Sequence, residues 1–313
     1  VCSSDLELYG YTSAFNDNGF TVTTGSSNFN YANASSSTYV AWAWKAGGSK
    51  NTFNVDDVGY ASAAAAGLDG GTITPTGASV GTKQGFSIIK YTANGSSGAT
   101  YSHGLNETPS FVITKRLNGS SSSWIVHHQS LGTAKELEMD GTNAASSRGD
   151  FSGMSSTVVT LSNSANVNND SSTNYISYIW HDVPGLQKFG TFTANNSTDG
   201  PYVELGFRPS IVWVKAASTA GDMTYASWLI TDGERSPTNV VSNGLFANKN
   251  AAEGKRGNGS DNYTGAWLDI LSNGFKIRYN GTEVNGVSGQ TYIYCAWAEA
   301  PAFNLYGAQS NAR

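Results

Sequence analysis

Apolar residues in this chain come in short bursts. Phe86 to Thr92, Ala99 to Ser102, Phe111 to Lys115, Trp124 to His128, Lys135 to Met139, Thr157 to Leu161 and Tyr175 to Trp180 are such bursts, and Gly, Asn and Ser clusters bound them. Short runs rich in β-branched and aromatic residues, closed by turn formers, predict strands. About seven strands in roughly 110 residues, with turns every 8–15, predict a β-sandwich or small jelly roll. The last burst alternates, with Tyr175, Ser177 and Ile179 on one side and Ile176, Tyr178 and Trp180 on the other. Aromatics on both sides predict a central strand that is covered twice.

The bursts repeat. Tyr91-Thr92-Ala93-Asn94-Gly95 recurs as Phe192-Thr193-Ala194-Asn195-Asn196, and Pro109-Ser110-Phe111-Val112 as Pro209-Ser210-Ile211-Val212. Trp124-Ile125-Val126 answers Trp228-Leu229-Ile230, and Tyr175 to Trp180 answers Tyr292 to Trp297. A third, partial copy opens the chain, where Asn18-Gly19-Phe20 and Tyr39 to Trp44 parallel Asn273-Gly274-Phe275 and Tyr292 to Trp297. Units above 100 residues read as domains, since solenoid repeats run about 20–50. The expected fold class is therefore all-β, with tandem β-sandwich domains of jelly-roll or lectin-like type. The expected division is 1–49 as the end of a preceding repeat, 50–71 as linker, 72–187 and 188–301 as two full repeats, and 302–313 as a tail. Val1 to Leu6 match nothing later and read as a foreign or truncated start.

Composition narrows the function. Charged residues make up 13% of the chain, against roughly 25% in an ordinary domain. A formal net charge of −5 argues against a nucleic-acid partner, which needs a basic stripe. No apolar run approaches the roughly 18–20 residues of a helical membrane span, and no basic stretch leads an apolar core, so neither membrane insertion nor a secretory signal is expected. Cys2 and Cys295 make no disulfide framework, and Cys295, in an apolar strand, reads as a buried thiol.

A set of motifs carries a resemblance. Gly85-Phe86-Ser87-Ile88, Tyr91 to Gly95, His103-Gly104-Leu105, Pro109 to Arg116, Trp124 to His128 and Ser130-Leu131-Gly132 lie in the first unit; Lys188-Phe189-Gly190, Asp199-Gly200-Pro201, Gly206 to Pro209 and Trp297 to Pro301 lie in the second. In these the chain resembles repeat-bearing structural proteins of marine phages, described as tail-fibre or lectin-like virion proteins. The resemblance implies a virion location and a sandwich fold, and it transfers no catalytic residue. Other virion proteins, a host-surface glycan and further copies of the chain, trimers among the assemblies, are the expected partners, and no cofactor is expected. A glycan-degrading tail enzyme and a capsid decoration protein are the alternatives.

Candidate chemistry is sparse. Glu136, Glu138 and Asp140 alternate onto one strand face, and retaining glycosidases set two carboxyls about 5–5.5 Å apart. The second unit has no such triplet, so an exposed polar strand face is the expectation. His103, His127, His128 and His181 are read as structural, because adjacent His127 and His128 point to opposite faces and cannot readily share a metal. Asp56, Asp57, Asp69 and Asp261 show no ordered calcium-loop pattern. No nucleophile elbow and no phosphate loop is present. Trp44, Trp180 and Trp297 occupy equivalent positions and are expected in cores. The remaining aromatics, Trp213, Tyr225, Tyr263 and Trp267, with Arg256, Asp261 and Asn262, are the candidate glycan contacts, rings for stacking and polar groups for hydroxyls.

Overall fold

The computed structural model describes residues 10–16, 19–26, 32–169, 171–219, 221–253 and 266–299. Two compact units result, Val1–Trp44 and Lys45–Arg313. In the first, β1 (Tyr11–Asn16) and β2 (Gly19–Thr23) form an antiparallel hairpin. Residues 39–44, which resemble the last strand of each later unit, lie outside any sheet. Among the described residues of this unit no strand pairs with them, so the ladder of a central strand does not form.

The larger unit begins with β3 (Phe53–Val55), β4 (Val58–Tyr60), β5 (Gly77–Gly81), β6 (Phe86–Thr92), β7 (Ala99–Ser102) and β8 (Phe111–Arg116). It continues with β9 (Ile125–His128), β10 (Leu137–Glu138), β11 (Phe151–Met154), β12 (Val158–Leu161) and β13 (Asn174–Trp180). The second half holds β14 (Gln187–Thr193), β15 (Tyr202–Glu204), β16 (Ile211–Ala216), β17 (Leu229–Asp232), β18 (Gly244–Phe246), β19 (Leu268–Leu271), β20 (Gly274–Ile277) and β21 (Thr291–Trp297). Two pairs of sheets form. In the first pair the order is β10-β9-β8-β13-β6-β5-β3-β4 opposite β11-β12-β7; in the second it is β18-β17-β16-β21-β14 opposite β19-β20-β15. The second pair follows the order of β10-β9-β8-β13-β6 and β11-β12-β7 in the first, and β5, β3 and β4 have no counterpart in it. Each pair encloses its own core: Tyr91, Tyr101, Val112, Phe151 and Tyr175 lie in one, Phe192, Val212, Trp267, Phe275 and Tyr292 in the other. The protein is all-β, built of β-sandwiches.

The segment 50–71, expected as a linker, belongs to the first sandwich. Its β3–β4 hairpin turns at Asp56 and Asp57, both at positive φ, where short polar side chains are tolerated. The Asp56 carboxylate accepts from Thr82 N at 2.8 Å and so ties the hairpin to the end of β5. Ala63 and Leu68 then enter the core. Small residues and an Asp-Asp turn concealed these strands, which are only three residues each.

Each sandwich is closed by a buried asparagine. Asn168 accepts from Asn94 N at 2.9 Å and donates to Asn94 Oδ1 and Ser96 O. Asn285 does the same with Asn195 N, at 2.8 Å, Asn195 Oδ1 and Ser197 O. Both pins hold a turn whose next residue is left-handed, Gly95 in one case and Asn196 in the other. Asn is among the few residues with a side chain that visits this region routinely, so the exchange preserves the turn.

Candidate functional site

The most elaborated region of the described structure is the joint between the sandwiches. Alternation along β21 sends Tyr292, Tyr294 and Ala296 into the second core and leaves Ile293, Cys295 and Trp297 on the outer face of its large sheet. On that face all three are buried. The cover comes from the first sandwich, at the ends of β8 and β13. The Phe111 ring stacks on Phe189 at 5.5 Å and meets Trp213 edge-on at 6.4 Å. Trp180 lies 6.1 Å from Trp297, and Trp297 in turn meets Phe189 and Trp213. Each fully buried large side chain contributes about 1.5–3 kcal/mol, and each well-placed aromatic pair about 0.5–1.5 more.

Polar groups fix the register of this joint. Gln129 Nε2 donates to Phe189 O at 2.7 Å, Trp228 Nε1 to Glu138 O at 2.8 Å, and Ala145 N to Ala217 O at 2.9 Å. His128 accepts from Ser130 N through Nδ1, so its Nε2 carries the proton and donates to Tyr294 O at 3.3 Å. Burial pushes this imidazole down to about 4, which keeps it neutral. Lys215 is fully buried; its Nζ donates to Thr142 O at 3.1 Å, Asn143 O at 2.8 Å and Ala216 O at 2.8 Å. Burial lowers this amine to about 7.

Lys215→Met is expected to destabilise the protein by about 2 kcal/mol, because the stem is refilled while two loop carbonyls lose their donor. Urea unfolding at neutral pH measures this. The unfolded amine titrates near 10.5, so the unfolded chain binds more protons between pH 7 and 10.5 and stability rises with pH there. The Met variant should lose that slope, and an unchanged slope would exclude the assignment.

The acidic strand is not an exposed polar face. Glu136 is buried, with its carboxylate accepting from Gly149 N at 3.1 Å and Phe151 N at 3.2 Å. Burial raises its pKa and the backbone donors oppose that rise. Glu138 pairs with Arg148 at 2.7 Å, and the same guanidinium holds Asp150 at 3.0 Å. Asp140 is the exposed member and accepts from Trp124 N. Sequence alternation missed this because β10 is two residues long, and the chain folds back so that Arg148 and Asp150 reach it.

The histidines serve packing. His103 is buried, accepts from Leu105 N and donates through Nε2 to Ser155 O at 3.1 Å. His127 points away from His128, edge-on to Phe151 at 6.0 Å. His181 Nδ1 lies 2.7 Å from Asp182 O. Among the described residues no group of three His, Cys, Asp or Glu side chains is placed to hold a metal, and Asp56 and Asp57 are engaged by Thr82 and Lys45.

Of the expected glycan contacts, Trp267 is a correction. It lies in the second core, 1% exposed, edge-on to Phe246 and Tyr279. Trp213 lies in the joint. Tyr225 is half-buried in the short 3-10 turn Met223–Tyr225. Arg256, Asp261, Asn262 and Tyr263 lie outside the described residues. Trp180 and Trp297 are buried as expected, although in the joint rather than within a sandwich, and Trp44 is half-buried. A cavity of about 250 Å³ between Asp182–Lys188 and Leu205–Phe207 is smaller than the usual 300–1,000 Å³ of ligand pockets. Sequence reading missed Lys215, Gln129 and the pins Asn168 and Asn285. A signal for the pins was present: Val-Asn stands seven residues before the strand tyrosine in both units, Asn168 before Tyr175 and Asn285 before Tyr292.

Fold and joint together define an all-β protein whose described residues build two β-sandwiches buttressed on each other. The chain belongs to the family described as Domain of unknown function (DUF7483), which matches residues 4–301. No curated protein and no solved structure matches it. No helix among the described residues is long and apolar enough to cross a membrane.

Proposed function

We propose that this chain is a non-catalytic structural protein of a virion-surface appendage, whose sandwiches are tandem repeats that space and hold its contact surfaces. The single observation that supports the non-catalytic half is the fate of the acidic strand. A glycosidase needs one carboxyl free to protonate a leaving group and a second free to attack or activate water. Glu136 is held by two backbone donors, and Glu138 and Asp150 share Arg148. The strand order that the two sandwiches share, apart from the extra β5, β3 and β4 of the first, and their matching asparagine pins support the repeat reading. The virion location rests on the resemblance of the sequence motifs.

Gold-labelled antibody against the chain is expected to decorate tail appendages of phage particles. Label on heads would favour a decoration protein, and particles without label would overturn the virion reading. Incubation with bacterial surface polysaccharide is expected to release no new reducing ends; release that Glu138→Gln abolishes would overturn the non-catalytic half. A glycan array tests the adhesive extension, with Tyr225→Ala expected to weaken any binding that runs through that loop.

A further inference from the structure

The two sandwiches present the same sheet face in different states. Pairing registers make the positions comparable: Trp180 pairs with Phe86 and Phe111, and Trp297 with Gln187 and Ile211. On the second sandwich this face comprises Phe189, Trp213, Lys215, Trp228, Ile293 and Cys295, and the first sandwich covers it. The counterparts on the first are Ile88, Ile113, Lys115, Trp124, Ile176 and Tyr178. Trp228 is 1% exposed and Trp124 36%; Ala217 is 5% exposed and its counterpart Leu117 40%. Lys215 reaches the carbonyls of the incoming loop, whereas Lys115 folds back onto Ser122 O and over the Trp124 ring.

The covering element also has a counterpart. The first sandwich docks through the edge that follows β10, Glu138 to Ala145. There Met139 N donates to Trp124 O at 2.9 Å, Asp140 accepts from Trp124 N at 3.2 Å and Gly141 N donates to Glu138 O at 3.3 Å. After β18 the same bonds recur: Ala247 N to Trp228 O at 3.1 Å, Trp228 N to Asn248 Oδ1 at 3.0 Å and Lys249 N to Phe246 O at 3.2 Å. The edge Phe246 to Asn250 therefore has the backbone course of the docking edge, and Ala247 and Asn250 on it are exposed.

We infer that a second copy of this chain docks its Phe246–Asn250 edge on the Lys115–Leu117–Trp124 part of that face on the first sandwich, repeating between molecules the edge contact made within one; Ile113, Trp180 and Trp297 are already buried and take no part. Such a contact joins two different patches, so it propagates head to tail rather than closing as a two-fold dimer. Asp232 stands where His128 donates to Tyr294 O, and a carboxylate cannot donate that bond. The contact between molecules is accordingly weaker than the internal one, which also profits from the effective concentration set by the short connection 181–186 between β13 and β14. This inference rests on the joint and is independent of the virion reading.

Sedimentation velocity of the full chain between about 10 and about 500 µM, below the millimolar effective concentration of a short linker, tests it. Mass is expected to grow with concentration. Trp124→Ala removes the indole, the counterpart of the Trp228 donor, and Ala247→Arg blocks the edge; each alone should weaken association roughly tenfold or more, as loss of a central contact does. An equimolar mixture of the two variants should stop at dimers, since only one productive pairing remains. Lys115→Ala replaces Trp124→Ala if the latter lowers the melting temperature. A wild-type monomer throughout, or association untouched by both variants, overturns the inference.

Discussion

Lowering the pH from about 6.5 to about 4 is expected to remove several kcal/mol of stability from this protein. Burial lowers three imidazoles, His103, His127 and His128, from 6.5 to about 4 in the folded chain. Unfolding exposes them to water and restores the ordinary value, so between those limits the unfolded chain binds more protons and stability rises with pH. The contribution is complete above about 6.5, is lost as pH falls through the window and changes no further below about 4. A shift of this size corresponds to about 3 kcal/mol per histidine at most, against a typical total of about 5–15. Glu136 works in the opposite direction, because its raised pKa makes protonation favour the folded state. It is one group against three. His127→Leu isolates one share, since His127 Nδ1 has no hydrogen-bond partner to lose and the ring already lies against Phe151. Urea titrations at several pH values should show that variant with roughly two thirds of the wild-type slope. A stability that is flat across the window would refute the assignment.

Much of this architecture is legible in the sequence because its strands announce themselves by alternation and by turns. Phe86 to Thr92, Phe111 to Lys115 and Tyr175 to Trp180 form strands where their pattern places them, and β13 and β21 are central strands. What resists reading is whatever depends on a partner far away in the chain. Trp124 and Trp228 sit in nearly the same local sequence, yet one faces solvent and the other donates to Glu138 O across the joint. Trp213 looks like a free surface aromatic because it has no aromatic counterpart in the first unit, where Ile113 stands. It is aromatic because it meets Phe111 and Trp297. A departure from the repeat thus marks the contact between repeats rather than a ligand site. Lys215 is no such departure, since Lys115 stands at its place in the first unit; only the Thr142–Asn143 carbonyls that close over it set it apart.

Phe111→Ala is expected to destabilise the protein by about 3–5 kcal/mol and to uncouple the sandwiches. Phe111 is fully buried and belongs to the first sandwich, yet its ring contacts Phe189 and Trp213 of the second as well as Trp180 and His128 of its own. The cavity therefore opens in the joint and leaves both cores intact. While the joint holds, neither sandwich can unfold without exposing the aromatic face of the other, and calorimetry should give one transition with equal van't Hoff and calorimetric enthalpies. In the variant the transition should split, with the van't Hoff enthalpy falling below the calorimetric one. Val112→Ala is the control from the neighbouring position, since Val112 points into the first core and is equally buried. It should cost about 2 kcal/mol and leave the transition single, because the joint is untouched. A single transition in Phe111→Ala, or a split one in Val112→Ala, would place the coupling elsewhere than in this aromatic cluster. The pairing of the two variants separates loss of stability from loss of connection.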